Sequence, residues 1–144
     1  MRRAGERQPA AITAWLESAY RGIAARAKRA KAVVYRGDET GISNQDRIGR
    51  SWAPRGQAPV TTGDARRFGE SMISAVRNRG LMRFMLHGGA LNIERFLTFL
   101  RRLIKDAGQK VFLIVDDLRA HHAKRVDAWI AAHAHEIELF YLPA

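Results

Sequence analysis

Between Pro9 and about Lys31, apolar residues return every three or four positions. Ile12, Trp15, Leu16, Ala19 and Ile23 share one side of a predicted helix, and Pro9 suits its first turn. Ala32 to Tyr35 then reads as a strand running towards Asp38. The stretch from Asp46 to Gly63 is turn-rich and holds the cluster G-R-S-W-A-P-R-G-Q-A-P. Ser71 to Val76 and Leu81 to Leu86 read as two strands joined by Arg77-Asn78-Arg79-Gly80, a short hairpin turn. After Asn92, a plausible N-cap, the residues Ile93, Phe96, Leu97, Leu100, Leu103, Ile104 and Ala107 form one apolar stripe, and Gly108 is the expected stop. Val111 to Val115 is continuously apolar, as in a strand buried on both faces. A helix from His122 to about Ala134 turns Val126, Trp129 and Ile130 inward, and Ile137 to Leu142 is a last strand.

The resulting order is helix, three strands in a meander, helix, strand, helix, strand. Antiparallel strands come first and crossover units follow, which predicts a mixed α/β sheet with helices on its faces. A chain of 144 residues fits one domain, and it shows no internal repeat or low-complexity segment. We divide it into a basic N-terminal helix or linker, 1–31, and a core, 32–144. No run of about 18 apolar residues suggests a membrane span. The charged start M-R-R-A-G-E-R-Q-P is not followed by an apolar signal region. The absence of cysteine excludes disulfides and thiolate metal sites, and a cytoplasmic protein is the simplest expectation.

Charge narrows the partners. The formal net charge is +11, and more than half of it lies in the first 31 residues, where Arg2, Arg3, Arg7, Arg21, Arg26, Lys28, Arg29 and Lys31 face only Glu6 and Glu17. Such a field favours a polyanion such as nucleic acid or an anionic membrane face, although a solvated basic helix gives the same composition. Arg26, Lys28, Arg29, Arg55, Arg66 and Arg67 are the candidate DNA contacts.

The candidate chemistry rests on two aspartates. Asp38, in V-V-Y-R-G-D-E-T-G, and Asp116, in K-V-F-L-I-V-D-D-L-R-A-H-H, each lie at or just after a predicted strand. Metal-dependent nucleases present carboxylates in this way. Magnesium takes hard oxygen ligands, and two such ions about 3.5–4 Å apart can activate a nucleophile and stabilise both oxygens of an in-line displacement. Strands about 4.8 Å apart could bring the two carboxylates onto a shared metal. Each residue also has a plainer reading. Asp38 could open a turn before Gly41, and Glu39 could be only its neighbour. Trp52 could be core or could contact DNA. His122 reads as surface, and His133 and His135 as a solvated helix end. The segment V-F-L-I-V-D-D is also like the acidic start of a receiver domain, but too few residues follow it for that fold. No G-x-G-x-x-G, Walker A or H-E-x-x-H motif is present.

Six blocks in order carry a family resemblance: Y-R-G-D-E-T-G, G-R-S-W-A-P-R-G-Q-A-P, M-I-S-A-V-R-N-R-G, F-L-T-F-L-R-R-L-I-K-D-A, K-V-F-L-I-V-D-D-L-R-A-H-H-A-K and I-E-L-F-Y-L-P-A. From Trp15 onward the chain resembles the catalytic core of mariner-like DDE transposases, most of all their bacterial insertion-sequence branch. That resemblance implies a ribonuclease-H-like fold, short of its last helix. It implies Mg²⁺, or Mn²⁺ in its place, held by Asp38 and Asp116 as catalytic ligands. Glu39, Asp117 and His121 would stand behind them, His121 being the histidine five positions past the second aspartate. Asp117 stands where the family usually has Asn or Gly, which leaves open which carboxylate leads. The third acid of the family follows the last strand, and the sequence ends at Leu142-Pro143-Ala144 before any such motif. The implied function is DNA cleavage and strand transfer of an insertion sequence in a bacterial nucleoid, with the chain inactive alone. The implied partners are transposon ends and target DNA, together with a full-length transposase or a second copy. The alternative is a non-catalytic DNA-binding or partner-binding remnant.

Overall fold

The computed structural model describes residues 9–43, 52–57, 69–78, 80–116 and 123–142. Its elements run α1 (Pro9–Trp15), a π-helical turn (Leu16–Tyr20), α2 (Arg21–Arg29), β1 (Val33–Ser43), β2 (Gly69–Arg77), β3 (Met82–Gly88), α3 (Ile93–Ala107), β4 (Val111–Val115), α4 (Lys124–Ala132) and β5 (Ile137–Tyr141). The strands form one sheet in the order β3-β2-β1-β4-β5. β1 pairs antiparallel with β2 and β2 with β3, while β4 runs parallel to both β1 and β5. The expected mixed sheet with flanking helices is the observed one.

Two apolar layers cover the sheet. On one face α3 buries Phe96, Leu97, Phe99, Leu100 and Leu103 against Val33, Tyr35, Ile73, Val111, Leu113 and Val115, and α4 adds Val126. On the other, Ile23 and Ala27 of α2 close over Phe112 and Ile114. β4 lies between these layers, and every one of its residues is buried, as its unbroken apolar run requires. The ends of α3 follow their local chemistry. The Asn92 side chain accepts from the Arg95 N–H at 2.9 Å, and Gly108 closes the helix at φ 61° in the left-handed region.

Three features depart from the sequence expectation. The N-terminal helix runs from Pro9 to Arg29, close to expectation, but one turn of it is π-helical, and Lys31 just past its end sits at φ 50°. β1 does not stop at Tyr35; it continues to Ser43 because β2 supplies a paired partner for each residue from Tyr35 onward. The glycines at 37 and 41 erase the apolar alternation that would have shown this in the sequence. Gly37 also packs closely, since a Cβ there would stand 3.1 Å from Val115 Cγ1. His133, expected to be solvated, is half-buried at the end of α4 with its ring stacked on Trp129 at 4.1 Å. Among the described residues no helix is long and apolar enough to cross a membrane.

Candidate functional site

Alternation along β1 divides its residues between the two faces. Val33, Tyr35, Gly37 and Glu39 face α3, and Val34, Arg36 and Asp38 face α2. β4 alternates in the same way, with Val111, Leu113 and Val115 towards α3 and Phe112 and Ile114 towards α2. Asp116 follows Val115 directly and so emerges on the α2 side. The β1–β4 register runs from Val33 opposite Val111 to Arg36 opposite Ile114. Carried two residues further, it would set Asp38 level with Asp116 on neighbouring strands, which in sheets lie about 4.8 Å apart. The paired part of the two strands ends at Arg36 and Ile114, two residues before each aspartate, and on strand alternation the two would fall on one face.

Their surroundings differ. Asp38 is exposed, and its Oδ1 accepts from the Glu39 N–H at 2.9 Å. Asp116 is half-buried. These are hard oxygen donors, the type that magnesium or manganese takes. Among the described residues no group of three His, Asp or Glu side chains is placed to hold a metal ion.

The other candidates separate. Glu39 leaves the aspartates' face; its carboxylate lies 3.7 Å from Nε2 of His87, a buried side chain on β3. It therefore stands behind Asp38 through the backbone alone. Asp117, His121, Arg66 and Arg67 lie outside the described residues, as does His122. Arg26 is turned to the sheet. It pairs with Glu138 and sits over the rings of Phe112 and Phe140, at 5.6 and 5.4 Å from their centroids. Half of its side chain is exposed all the same. Lys28 and Arg29 remain exposed at the end of α2. Arg55 is exposed in a turn closed by the Gln57 N–H on the Pro54 carbonyl at 3.0 Å, and Trp52 before it is fully exposed rather than core.

Two groupings near the site were not anticipated. Arg36 donates to the Tyr20 hydroxyl at 3.1 Å and lies over the same ring at 5.6 Å. The Asn78 side chain also hydrogen-bonds that phenol and, with Arg36, draws its pKa below the ordinary tyrosine value against a smaller opposing effect of burial. His87 is the second. Its Nδ1 lies 3.0 Å from the Gly89 carbonyl and so carries the proton, leaving Nε2 towards Glu39. Only one signal for either grouping lay in the sequence. Arg36 is two positions before Asp38, so a strand puts both on one face.

With this geometry in hand, the comparisons are informative. The profile of the DDE superfamily endonucleases matches residues 33–144. No curated protein sequence matches the chain significantly. Among solved structures, the chain is 19% identical to the protein of the Mos1 strand transfer complex, with a TM-score of 0.54, covering 86% of this chain and 38% of that one. It is 20% identical to the mariner Mos1 paired end complex with Mg, with a TM-score of 0.53, covering all of this chain (100%) and 47% of that one. A simian T-cell lymphotropic virus intasome matches at 11% identity with a TM-score of 0.52, covering 76% of this chain and 31% of that one. The chain spans less than half the length of each of these three structures. At these identities the likeness shows the shared ribonuclease-H-like fold of transposase and integrase catalytic cores. The profile, matched along most of the sequence from the first strand onward, shows the family: this chain belongs to the DDE superfamily of endonucleases.

Proposed function

We propose that this chain is the catalytic core of a mariner-like DDE transposase of the bacterial insertion-sequence branch, acting on DNA by metal-dependent cleavage and strand transfer. The observation that supports this best is the parallel β1–β4 register, from Val33 opposite Val111 to Arg36 opposite Ile114, which runs towards Asp38 on one strand and Asp116 just past the other. These two side chains would hold Mg²⁺, or Mn²⁺ in its place, with Asp117 and His121 beside them. The bound metal would supply charge stabilisation for the attacking and leaving oxygens of a phosphodiester. The chain's own part is to hold two carboxylates rigidly on paired strands, Asp38 in mid-strand and Asp116 at the exit of a fully buried one. Residues 1–31 would act as a basic linker, and Arg26, Lys28, Arg29, Arg55, Arg66 and Arg67 would meet the DNA backbone. The mariner Mos1 neighbours are paired end and strand transfer complexes, which supports transposon ends and target DNA as partners here. A second copy or a longer transposase completes the assembly, in a bacterial nucleoid.

One observation favours a second reading, a DNA-binding or partner-binding remnant. Among the described residues no group of three His, Asp or Glu side chains is placed to hold a metal ion. We therefore expect the 144-residue polypeptide to be inactive alone. The test is Mn²⁺-supported cleavage of a duplex bearing the element's ends, by this chain and by a version extended through a third acid. The extended chain should cleave and lose activity in both Asp38→Ala and Asp116→Ala. An extended chain that stays inactive favours the remnant. Cleavage by the short chain that vanishes in Asp38→Ala means that another residue completes the site.

A further inference from the structure

On the aspartates' own face, Arg36 is held in place without an anionic partner among the described residues. Arg36 lies two residues before Asp38 on β1, roughly 7 Å away by strand rise. It is exposed, and among the described residues no carboxylate pairs with it. The other arginine on this face, Arg26, is matched by Glu138. Arg36 is instead oriented by a neutral group. The Tyr20 hydroxyl accepts one of its N–H donors at 3.1 Å, and the Tyr20 ring lies under the guanidinium at 5.6 Å. Tyr20 is itself set by the π-helical turn that it closes, and its ring lies against Trp15 with centroids 5.8 Å apart. Single π-helical turns of this kind often mark functional positions.

A guanidinium has five N–H donors in a planar fork. Here the tyrosine engages one donor and the ring covers one side, so the remaining donors are held ready at low entropic cost. Two aspartates on the same face repel a phosphate, and a fixed cation beside them offsets that repulsion. We propose that Arg36 is a DNA-phosphate contact beside the aspartate pair, with Tyr20 as the residue that positions it. This rests on the reading of the chain as a protein that acts on DNA.

The experiment is an anisotropy titration of the full chain with a labelled duplex over a series of salt concentrations. Wild type should bind with an affinity that falls linearly in log–log form with salt. Arg36→Ala should flatten that slope by about one phosphate contact and weaken low-salt binding on the order of tenfold. Arg36→Lys should keep the slope while losing part of the affinity, because a lysine cannot use the fork. Tyr20→Phe should also keep the slope and weaken binding roughly two- to fivefold, since the charge remains but loses its anchor. Arg101→Ala, on the exposed side of α3 across the sheet, is the control and should leave the slope unchanged.

If wild type binds with a steep slope that Arg36→Ala does not alter, this proposal is wrong while the DNA reading stands. If Arg101→Ala flattens the slope as much as Arg36→Ala, any surface cation serves and the assignment to Arg36 fails. If wild type does not bind even at low salt, the DNA reading fails and takes this proposal with it.

Discussion

Single side chains separate what is structural here from what is poised for chemistry. Leu100 is fully buried under α3, and Leu100→Ala should cost about 2–5 kcal/mol, read as a lower urea midpoint. Gly37 answers to steric contact instead. Gly37→Val would press a branched Cβ onto Val115, which already approaches to 3.1 Å of that position, and should destabilise by about 1–3 kcal/mol. Val115 immediately precedes Asp116, so the same substitution should weaken metal binding by disturbing the position of Asp116. A destabilised variant with unchanged Mn²⁺ affinity would mean that the β1–β4 contact does not set the site.

Tyr20 offers a pH test at the same scale. The Asn78 hydrogen bond and the Arg36 guanidinium hold its pKa below the ordinary value of about 10. The folded chain therefore holds the phenolate more readily than the unfolded chain does. The stabilisation is present in full above about pH 10 and is lost as pH falls through the lowered folded value. Phenolate absorbance should show one tyrosine titrating early, and Arg36→Ala or Asn78→Ala should move it back up. If all tyrosines titrate together, the Tyr20 contacts do not persist in solution.

Among the elements, α3 has its start and stop written locally. Asn92→Ala removes the side chain that accepts from the Arg95 N–H and should cost about 0.5–2 kcal/mol, as a fall in melting temperature with no change in metal binding. The hairpin β2–β3 is tied to α3 on one side by Arg83, 3.2 Å from Asp106. On its other side Val76, Met82, Phe84 and Leu86 are exposed, at 39%, 43%, 57% and 60%. A run of apolar side chains on an outer strand promotes association. The pair Phe84→Thr and Leu86→Thr should raise solubility and lower the binding of a hydrophobic dye, and it should leave DNA affinity unchanged because no charge is altered. If dye binding persists in that variant, the open surface lies elsewhere.

Across the whole molecule, the two faces of the sheet have different tasks. One is closed by α3 and α4 and holds the larger core. The other is closed only in part, by α2, and it carries Asp38, Arg36 and the approach to Asp116. Arg26, between Phe112, Phe140 and Glu138, fastens α2 to that second face. Half-exposed, this pair is a modest clamp. Its loss in Arg26→Ala should loosen α2 and speed hydrogen exchange there before it lowers global stability.

The element order, the α3 stripe and the fully buried β4 are all legible in the amino-acid sequence, because helical and strand periods are local. So are the two aspartates and the position of Asp116 at a strand exit, together with the kinship that six ordered blocks suggest, whereas Asp38 lies in mid-strand. The extension of β1 to Ser43 is not legible, since its partner β2 lies far along the chain and Gly37 and Gly41 hide the alternation. The removal of Glu39 to the opposite face follows from that extension, for only a continuing strand assigns alternate residues to alternate sides. The partners of Arg26 and Arg36, and the Glu39 contact of His87, were decided by tertiary packing alone. A charged side chain's role depends on what stands within a few ångströms of it, and in each case that neighbour comes from a different element of the fold.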